Sequence, residues 1–427
     1  MKNITILVPT VTSPSILEKN QSRIFLIIDE LKKKAKINLI FVSFKPQIDK
    51  TETKFNIINF NQKNNAVSIL NDLKPDCVLS DAALEFSTLP IIIASKFLKI
   101  PVFTMFLRDE KFEPEKINEK INETKMVLRL LSKNPLVTDN KNEIVKEKSY
   151  LKFLLEEFRF LIRTYRKTEK NIFQTVRFGI FFLWKRAFAY YPIHKITEGD
   201  LNFCSNYLWK EYLFRKGFSK PKIIEVGSPF YDSIYQQVIQ QKVKPIGKKI
   251  RILLCTTPIY EHGKMSKKHH DKLLIKTINK ILENDNIEVT LKIHPTHSDI
   301  KEYQFLAKSF KKGVKIFQRE NIIDLLFKHD IMISYGTSRV LITGVLSKKP
   351  ILNLQYIFQQ EQSPFFDSEI MTGCYNIDEL NQKIKEVASK KIDENSYEDY
   401  INKFLGKFDG KCSLRIAESI LNKFQVR

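Results

Sequence analysis

The sequence lacks paired cysteines. Its five cysteines are spread along the chain and none stands in a C-x-x-C spacing, which excludes the zinc clamps and redox sites that depend on that spacing. Single, scattered thiols are typical of buried side chains in a reducing compartment. The five are Cys77, Cys204, Cys255, Cys374 and Cys412.

Long apolar runs are also absent. The longest uninterrupted apolar stretch of the most aromatic segment covers residues 178–184, far below the roughly 20 residues that span a bilayer, so this segment is not a transmembrane helix. The apolar run at residues 4–8 is too short for a signal peptide and predicts a first buried strand. We therefore expect a protein without an export signal, either free in the cytoplasm or peripheral at the inner face of the cell membrane.

Acidic residues are scarce relative to basic ones. The chain has 71 Lys and Arg against 48 Asp and Glu, a formal net charge of +23. Such an excess fits a nucleic acid, an anionic membrane surface or a phosphate-bearing substrate. The sequence contains no zinc finger, Gly-rich aromatic strand signature or other recognisable nucleic-acid reader, so no nucleic-acid partner is predicted.

The basic excess is concentrated in an aromatic segment. Residues 159–195 contain nine Lys or Arg, one acid and ten aromatic residues. Aromatic rings at headgroup level with Lys and Arg meeting anionic lipid are typical of a membrane interface. The alternative is a long helix with one face on the core and a basic solvent face. The residues expected at the membrane surface are Arg177, Phe181, Phe182, Trp184, Lys185 and Arg186.

Apolar strands alternate with amphipathic helices along most of the chain. This alternation predicts an α/β fold of two doubly wound, Rossmann-like domains with parallel sheets covered on both faces. Helical periodicity replaces the strand pattern between about residues 110 and 196, which predicts a helical insertion. The predicted domains are residues 1–240 with that insertion, residues 248–408, and a C-terminal helix within 409–427 that packs back on the first domain.

The first candidate site follows the strand predicted at residues 287–294. In open α/β sheets the ligand lies beyond the carboxyl ends of the strands. Pro295 stops this strand and leaves His294 facing the crevice, where an imidazole donates to a phosphate oxygen or relays a proton. Lys292 and His297 stand beside it. The alternative is a histidine that only caps a strand.

Two more candidate sites follow strands of the second domain. Thr337 and Ser338 open a predicted helix just before Arg339, and a helix N-terminus with hydroxyls binds a diphosphate. Ordinary N-capping is the alternative. The turn after the strand at 250–255, which contains Thr256, Thr257 and His262, is expected to bind the other face of a phosphate.

Asp81 is the candidate general base. It follows a strand of the first domain, and deprotonation of an acceptor hydroxyl needs a carboxylate or imidazole nearby. A helix cap explains it equally well. His269 and His270 are adjacent and point to different faces of a helix, so we predict no protein-bound metal site and no cofactor.

The order of motifs in the second half resembles the nucleotide-sugar domain of the GT-B superfamily. The residues at 227–232 resemble the G-x-P-x-x-D turn of surface-polysaccharide transferases and of non-hydrolysing UDP-N-acetylglucosamine 2-epimerases. The residues at 292–295 resemble the K-x-H-P of CDP-glycerol glycerophosphotransferases and capsule-type transferases, and those at 409–416 are similar to their D-G-K-x-S-x-R-I ending. Between them, residues 329–338 and 349–351 resemble the donor loop and the following strand.

This resemblance implies a metal-independent transferase in cell-envelope polysaccharide biosynthesis. The donor, a nucleotide-activated sugar or polyol, would be a substrate whose phosphates contact His294, Thr337 and Ser338 in the C-terminal domain. The acceptor, a glycan or lipid-linked molecule, would be held by the N-terminal domain. In this hypothesis the active site lies in the cleft between the domains, with Asp81 taking the acceptor proton and Lys292 and Arg339 assisting at the leaving phosphate.

Two other functions stay open at this point. The first is an epimerase that makes an activated sugar. Its branch is expected to carry a Gly-Gly turn and a Glu pair after the donor loop, where this chain has the residues 339–344 without an acid, and this departure favours transfer. The second is a non-catalytic paralogue that binds nucleotide or scaffolds an assembly.

Overall fold

The structure is a computed structural model of the 427-residue chain. It describes residues 3–11, 13–19, 22–44, 54–80, 88–107, 141–169, 171–188, 195–241, 249–335, 339–357 and 370–425; the side chains of 141–152, 184–188, Arg339 and Gln425 are excepted. The chain divides into two compact units, residues 1–230 with 411–427, and residues 231–410.

The first unit contains seven parallel strands that alternate with helices. Residue bounds in chain order are β1 Asn3–Thr10, α1 Pro14–Lys19, α2 Arg23–Lys32, β2 Lys36–Ser43, β3 Asn56–Asn59, α3 Ala66–Leu73, β4 Cys77–Ser80, α4 Leu89–Phe97, β5 Val102–Phe106, α5 Lys141–Thr168, α6 Ile172–Phe188, β6 Leu201–Cys204, α7 Tyr207–Arg215 and β7 Ile223–Glu225. Short 3₁₀ turns lie at Phe60–Gln62, Lys195–Thr197 and Lys220–Lys222.

The first sheet has the strand order of a doubly wound fold. Its order is β3-β2-β1-β4-β5-β6-β7. Strands β1 and β2 pair in parallel along all eight residues of β1. The order reverses between β1 and β4, the switch point beyond which ligands bind in such sheets. Asp81 follows β4 in the sequence and lies outside the described residues.

The second unit repeats this architecture with six parallel strands. Its elements are α8 Pro229–Ile239, β8 Ile250–Cys255, α9 Lys267–Ile281, β9 Ile287–Lys292, α10 Ile300–Leu306, β10 Lys315–Phe317, α11 Ile322–Lys328, β11 Ile331–Ser334, α12 Arg339–Leu346, β12 Ile351–Leu354, β13 Met371–Cys374, α13 Leu380–Ser389 and α14 Glu394–Tyr400. The 3₁₀ turns Ala307–Ser309 and Ile377–Glu379 and a π-helical turn, Ile401–Leu405, complete it. Helix α15, Cys412–Gln425, ends the described chain.

The second sheet has the order β10-β9-β8-β11-β12-β13. Helices α9 and α13 pack on its strands in one apolar core, to which they contribute residues at helical spacing such as Leu274, Ile278 and Ile384. The order reverses between β8 and β11, so a second switch point lies at the carboxyl ends of these strands. The predicted α/β fold of two doubly wound sheets is confirmed.

The C-terminal helix belongs to the core of the first unit. Cys412, Ile416 and Ile420 of α15 are fully buried among residues of β1, β2 and α2. Arg415 donates to the carbonyl of Val226 from its Nε and Nη2 atoms, at 3.0 and 2.5 Å. The end of the chain therefore closes one face of the first sheet, beside α2.

Helix α8 belongs mostly to the second unit, whereas the sequence analysis placed the first domain's end after it, at residue 240. Tyr235 packs edge-on against Phe408, with ring centroids 5.2 Å apart. Gln237 and Gln241 bond to Asn321 and Asp324 at the start of α11. These contacts tie α8 to elements of the second unit.

Helices α5 and α6 fall within the predicted insertion, whose earlier part, residues 110–140, lies outside the described residues. Phe160 of α5 joins the core formed by α3 and α4, and Phe182 of α6 packs with Leu89, Ile93 and Leu161. Among the described residues, no helix combines the length and the apolar composition that crossing a bilayer requires.

Candidate active site

Three strand ends of the second unit meet at its switch point. Cys255, the last residue of β8, is in register with Ser334, the last residue of β11, on one side and with Lys292, the last residue of β9, on the other. The loops that follow these strands therefore leave the sheet side by side. These are the loops in which the sequence analysis placed Thr256, His294 and the 336–338 turn.

The β8 and β11 loops are joined by a hydrogen bond. The hydroxyl of Thr257 donates to the carbonyl oxygen of Tyr335 at 2.6 Å. Tyr335 immediately precedes residues 336–338, which lie outside the described residues together with the predicted ligands Thr337 and Ser338. The backbone of Arg339 begins α12, and its side chain is not described. Thr257 thus fixes the position from which the predicted donor loop starts.

His294 is held in a defined tautomer by the backbone that follows it. Its Nδ1 atom accepts from the backbone N–H groups of His297 at 3.1 Å and Thr296 at 3.3 Å. An imidazole nitrogen that accepts N–H bonds carries no proton, so the proton of the neutral ring lies on Nε2. Nε2 has no hydrogen-bond partner among the described residues and can donate to an anion.

Three imidazoles pack together at this edge. The rings of His294 and His297 have centroids 4.7 Å apart, and those of His297 and His262 are 4.8 Å apart. Partial burial lowers the pKa of His294, and the neighbouring His297, His262 and Lys292 lower it further. His294 is therefore neutral near pH 7. His262, predicted from the β8 loop, and His294, predicted from the β9 loop, are brought together through His297.

Lys292 is placed differently from the expectation of a phosphate ligand. The side chain is buried, and its ammonium donates to the carbonyl oxygens of Gln318 at 2.6 Å and Ile293 at 3.2 Å. Burial lowers its pKa. Two of its three N–H donors therefore hold the chain after β9 and β10. Gln318 in turn donates to the carbonyl of Ser298 at 2.7 Å, which fixes the far end of the His294 loop.

Beneath these loops lies a buried polar layer that the sequence analysis did not predict. His270 of α9 and Tyr335 are both fully buried, and the His270 Nε2 atom lies 2.9 Å from the Tyr335 hydroxyl. Burial lowers the pKa of His270 and raises that of Tyr335, which keeps both groups neutral. The sequence signal for His270 was its position four residues before the core residue Leu274 of α9.

Glu261 and Glu302 anchor the β8 loop from the other side. Ser298 donates to the Oε1 atom of Glu261 at 2.6 Å, and the Tyr260 hydroxyl donates to Oε2 of Glu302 at 2.6 Å. Burial, followed by the bond to Glu302, raises the pKa of Tyr260. The loop is thus bonded to both the His294 loop and α10 before any ligand binds.

Two buried hydroxyls at the strand ends, those of Thr256 after β8 and Ser334 in β11, have no hydrogen-bond partner among the described residues. The Ser334 hydroxyl is fully buried at the end of β11, and no described group within hydrogen-bond distance satisfies it. Buried hydroxyls nearly always have a partner.

Among the described residues, no cluster of three or more His, Cys, Asp or Glu side chains is arranged to hold a metal ion.

Comparison with known proteins finds similarity only at the level of structure. Neither a family model nor a curated protein matches the sequence. The UDP-N-acetylglucosamine 2-epimerase of Neisseria meningitidis, solved with its UDP-sugar bound, is 14% identical over 99% of this chain and 100% of its own, with a TM-score of 0.53. The corresponding epimerase of Methanocaldococcus jannaschii is 16% identical over 99% and 100%, with a TM-score of 0.52.

The fold is of the GT-B type. The two Rossmann-like units and the near-complete coverage of both chains support this, and the predicted membership in that architecture is confirmed. At these identities the similarity extends to the fold alone. The resemblance to capsule-type transferases stays a prediction, and so do the roles of Asp81, Thr337, Ser338 and Arg339.

Proposed function

We propose that the second unit binds a nucleoside diphosphate-activated sugar or polyol, and that the protein transfers the activated group to a glycan or lipid-linked acceptor. The observation that carries the proposal is His294. It stands beyond the carboxyl end of β9, the strand beside the switch point between β8 and β11. Its Nδ1 atom is occupied by backbone N–H groups, and its Nε2–H is available as a donor. The Neisseria epimerase, which shares the fold, was solved with UDP-N-acetylglucosamine bound.

The chemistry follows from a donor held at its phosphates. Asp81 accepts the proton of the acceptor hydroxyl, the acceptor oxygen bonds to the activated carbon or phosphorus, and the bond from that atom to the leaving phosphate oxygen breaks. Negative charge grows on the leaving nucleotide. The N–H donors of His294 and of the α12 N-terminus stabilise that charge, with the hydroxyls of Thr337 and Ser338. The polar atoms of Lys292 and Thr257 act by holding these loops in place.

Nucleotide binding is the first test of this function. UDP, CDP, GDP and CMP are compared by thermal unfolding for the wild type, His294→Ala and a matched control, His269→Ala, which removes an exposed histidine of α9. A ligand at 100 times its Kd stabilises by about 2.7 kcal/mol, which raises Tm by roughly 5–10 °C for a unit of this size. We expect one base to stabilise the wild type and the control, with the shift largely lost in His294→Ala.

Two results would contradict this function. If none of the four nucleotides raises Tm, both the transferase function and any other function as a nucleotide-sugar enzyme are ruled out. Equal stabilisation of wild type and His294→Ala would place the nucleotide somewhere other than the switch point of the second unit.

A second candidate is an epimerase acting on the same donor. The observation in its favour is that two similar solved structures with TM-scores above 0.5, from Neisseria meningitidis and Methanocaldococcus jannaschii, are UDP-N-acetylglucosamine 2-epimerases. The two functions differ in their need for an acceptor. Incubation of the enzyme with UDP-N-acetylglucosamine alone, followed by proton NMR, yields the epimer if the second candidate is correct and leaves the sugar unchanged if transfer is.

Binding without turnover defines the third possibility. A protein that is stabilised by a nucleotide sugar, forms no epimer and releases no nucleotide in the presence of glycan or lipid-linked acceptors is a non-catalytic binder. In Asp81→Asn, a transferase keeps its nucleotide stabilisation and loses acceptor-dependent release of nucleotide. A non-catalytic binder shows no release in either form.

A further inference from the structure

Helix α6 exposes an apolar face. Five of its apolar residues at helical spacing are more than half exposed, and they include Phe173 at 82% and Ile180 at 65%. With about 3.6 residues per turn, these positions form a single stripe along one side of the helix. The stripe consists of Ile172, Phe173, Val176, Ile180 and Leu183. Scattered exposed apolar residues are normal, but a continuous stripe marks an interaction surface.

The orientation of α6 is fixed by its opposite face. Phe178 stacks on Tyr165 of α5, with ring centroids 4.0 Å apart, and Phe182 is buried against Leu161. A Cβ added at Gly179 would lie 3.2 Å from the Cδ1 atom of Ile162, so the absence of a side chain there lets the two helices approach closely. The helix therefore cannot rotate its apolar stripe inward without losing this packing.

Basic side chains are present beside the apolar stripe on α6 and on the exposed side of α5. Arg177 lines one shallow groove along α6 together with Phe181 and four residues of the stripe, Ile172, Phe173, Val176 and Ile180. On the neighbouring α5, Arg159, Arg163 and Arg166 are exposed at spacings of four and three, which places them on one side of that helix. An apolar stripe with Arg177 beside it and three exposed arginines on the neighbouring helix is complementary to a surface with an apolar interior and an anionic boundary.

We propose that this face of α5 and α6 docks onto a lipid bilayer that contains anionic lipids. With 17 residues, α6 lies in the plane of the interface, its apolar side chains entering the boundary between headgroups and acyl chains while the arginines meet the lipid phosphates. This inference does not depend on the proposed function, since it rests on a surface of the first unit and is read out by binding alone.

The test is co-sedimentation of the full-length protein with lipid vesicles. Vesicles of phosphatidylcholine alone are compared with vesicles that contain 30% phosphatidylglycerol, a composition chosen for its negative charge. We expect binding to the anionic vesicles at about 0.1 M salt and a decrease at higher salt, where surface charges are screened. Binding to neutral vesicles is expected to be weaker by a factor of ten or more.

Two variants with matched controls separate the apolar from the charged contribution. Phe173→Ser with Ile180→Ser removes the centre of the stripe, and we expect a loss of about tenfold or more in vesicle affinity. Arg177→Gln is expected to weaken binding about fivefold, the contribution of one cation near an anionic surface. The controls are Phe305→Ser, which removes a 72% exposed phenylalanine of the second unit, and Lys272→Gln, on α9; both should bind like the wild type.

Several outcomes would overturn the proposal. One is the absence of binding to anionic vesicles. Another is a loss of affinity that is the same in the controls as in the stripe variants. A third is a dimer in light scattering that Phe173→Ser with Ile180→Ser converts to a monomer without any vesicle binding by either form, because the stripe would then be an interface between copies of the chain.

Discussion

Substitution of Thr257 can distinguish a structural role of its hydroxyl from a role in binding the ligand. In the sequence it is a candidate phosphate ligand, whereas in the structure it donates to the carbonyl of Tyr335 at 2.6 Å. We expect Thr257→Val, which keeps the shape of the side chain and removes the donor, to destabilise the protein before any nucleotide is added. Thr257→Ser keeps the donor and is the matched control.

The magnitude follows from the buried carbonyl. A hydrogen bond of this kind contributes about 1 kcal/mol net, and a buried acceptor that loses its partner costs about 1–3 kcal/mol. Tyr335 is fully buried, so the upper part of this range applies. For a unit of this size, the corresponding decrease in Tm is roughly 4–12 °C. Thr257→Ser should lower Tm by less than about a third of that value.

The assay must report on the second unit. Both tryptophans, Trp184 and Trp209, belong to the first unit, so tryptophan fluorescence is uninformative here. Urea unfolding followed by far-ultraviolet circular dichroism gives the free energy, and hydrogen exchange of peptides covering residues 256–263 and 331–335 gives the location. If Thr257→Val leaves both unchanged and only weakens nucleotide binding, the hydroxyl contacts the ligand and the reasoning is refuted.

Two further predictions concern stability. The first is a loss of stability of the second unit between pH 7.5 and 5, because burial lowers the pKa of three of its histidines below the ordinary value of 6.5. The unfolded chain then binds more protons than the folded one, so the free energy of unfolding falls as the pH drops through about 6.5 and levels off below the folded-state pKa values. Urea unfolding at pH 7.5 and pH 5 should show this decrease. Each unit by which a pKa is lowered contributes about 1.4 kcal/mol to it. These histidines are His270, His294 and His329. The second prediction is that Gly199→Ala lowers the free energy of unfolding by more than about 2 kcal/mol, since the added Cβ would lie 2.5 Å from the carbonyl oxygen of Val102. The control is Gly313→Ala, which has nothing within 4 Å of the added Cβ and should change that free energy by no more than about 0.5 kcal/mol. Equal midpoints of the two variants in thermal unfolding would contradict this prediction.

The positions of most strands along the chain are the part of the fold that hydrophobic patterning predicted well. Buried strands such as Val102–Phe106 and Ile331–Ser334 are continuous apolar runs, because both faces of a parallel sheet are covered. The patterning missed β3 and β13. Both are four residues long, and they carry Asn56 and Asn59 in one case and Gly373 in the other. Strands at or near a sheet edge need less apolar surface, so composition does not distinguish them from loops.

The candidate site was predicted at the level of loops and missed at the level of atoms. The rule that ligands lie beyond carboxyl strand ends was sufficient to select Thr257, His262 and His294 from separate parts of the sequence. It could not show that Thr257 and Lys292 bond to backbone carbonyls, because those acceptors, Tyr335 and Gln318, come from other strands. Partners that only the tertiary fold brings together leave no signal in the local sequence.

Lys292 and His294 differ in the hydrogen-bond donors that they can offer to an anion. Lys292, the last residue of β9, has two of its three donors bonded to carbonyls and its pKa lowered by burial. The Nε2–H of His294 has no partner in the part of the chain that the structure describes, and its ring is neutral because burial lowers its pKa. Neutral N–H donors bind phosphate oxygens by geometry more than by charge, and such bonds are less sensitive to salt than exposed ion pairs. Nucleotide binding at this site is therefore expected to persist at salt concentrations that release the proposed docking face of α5 and α6 from anionic vesicles, so that one salt titration separates the two surfaces.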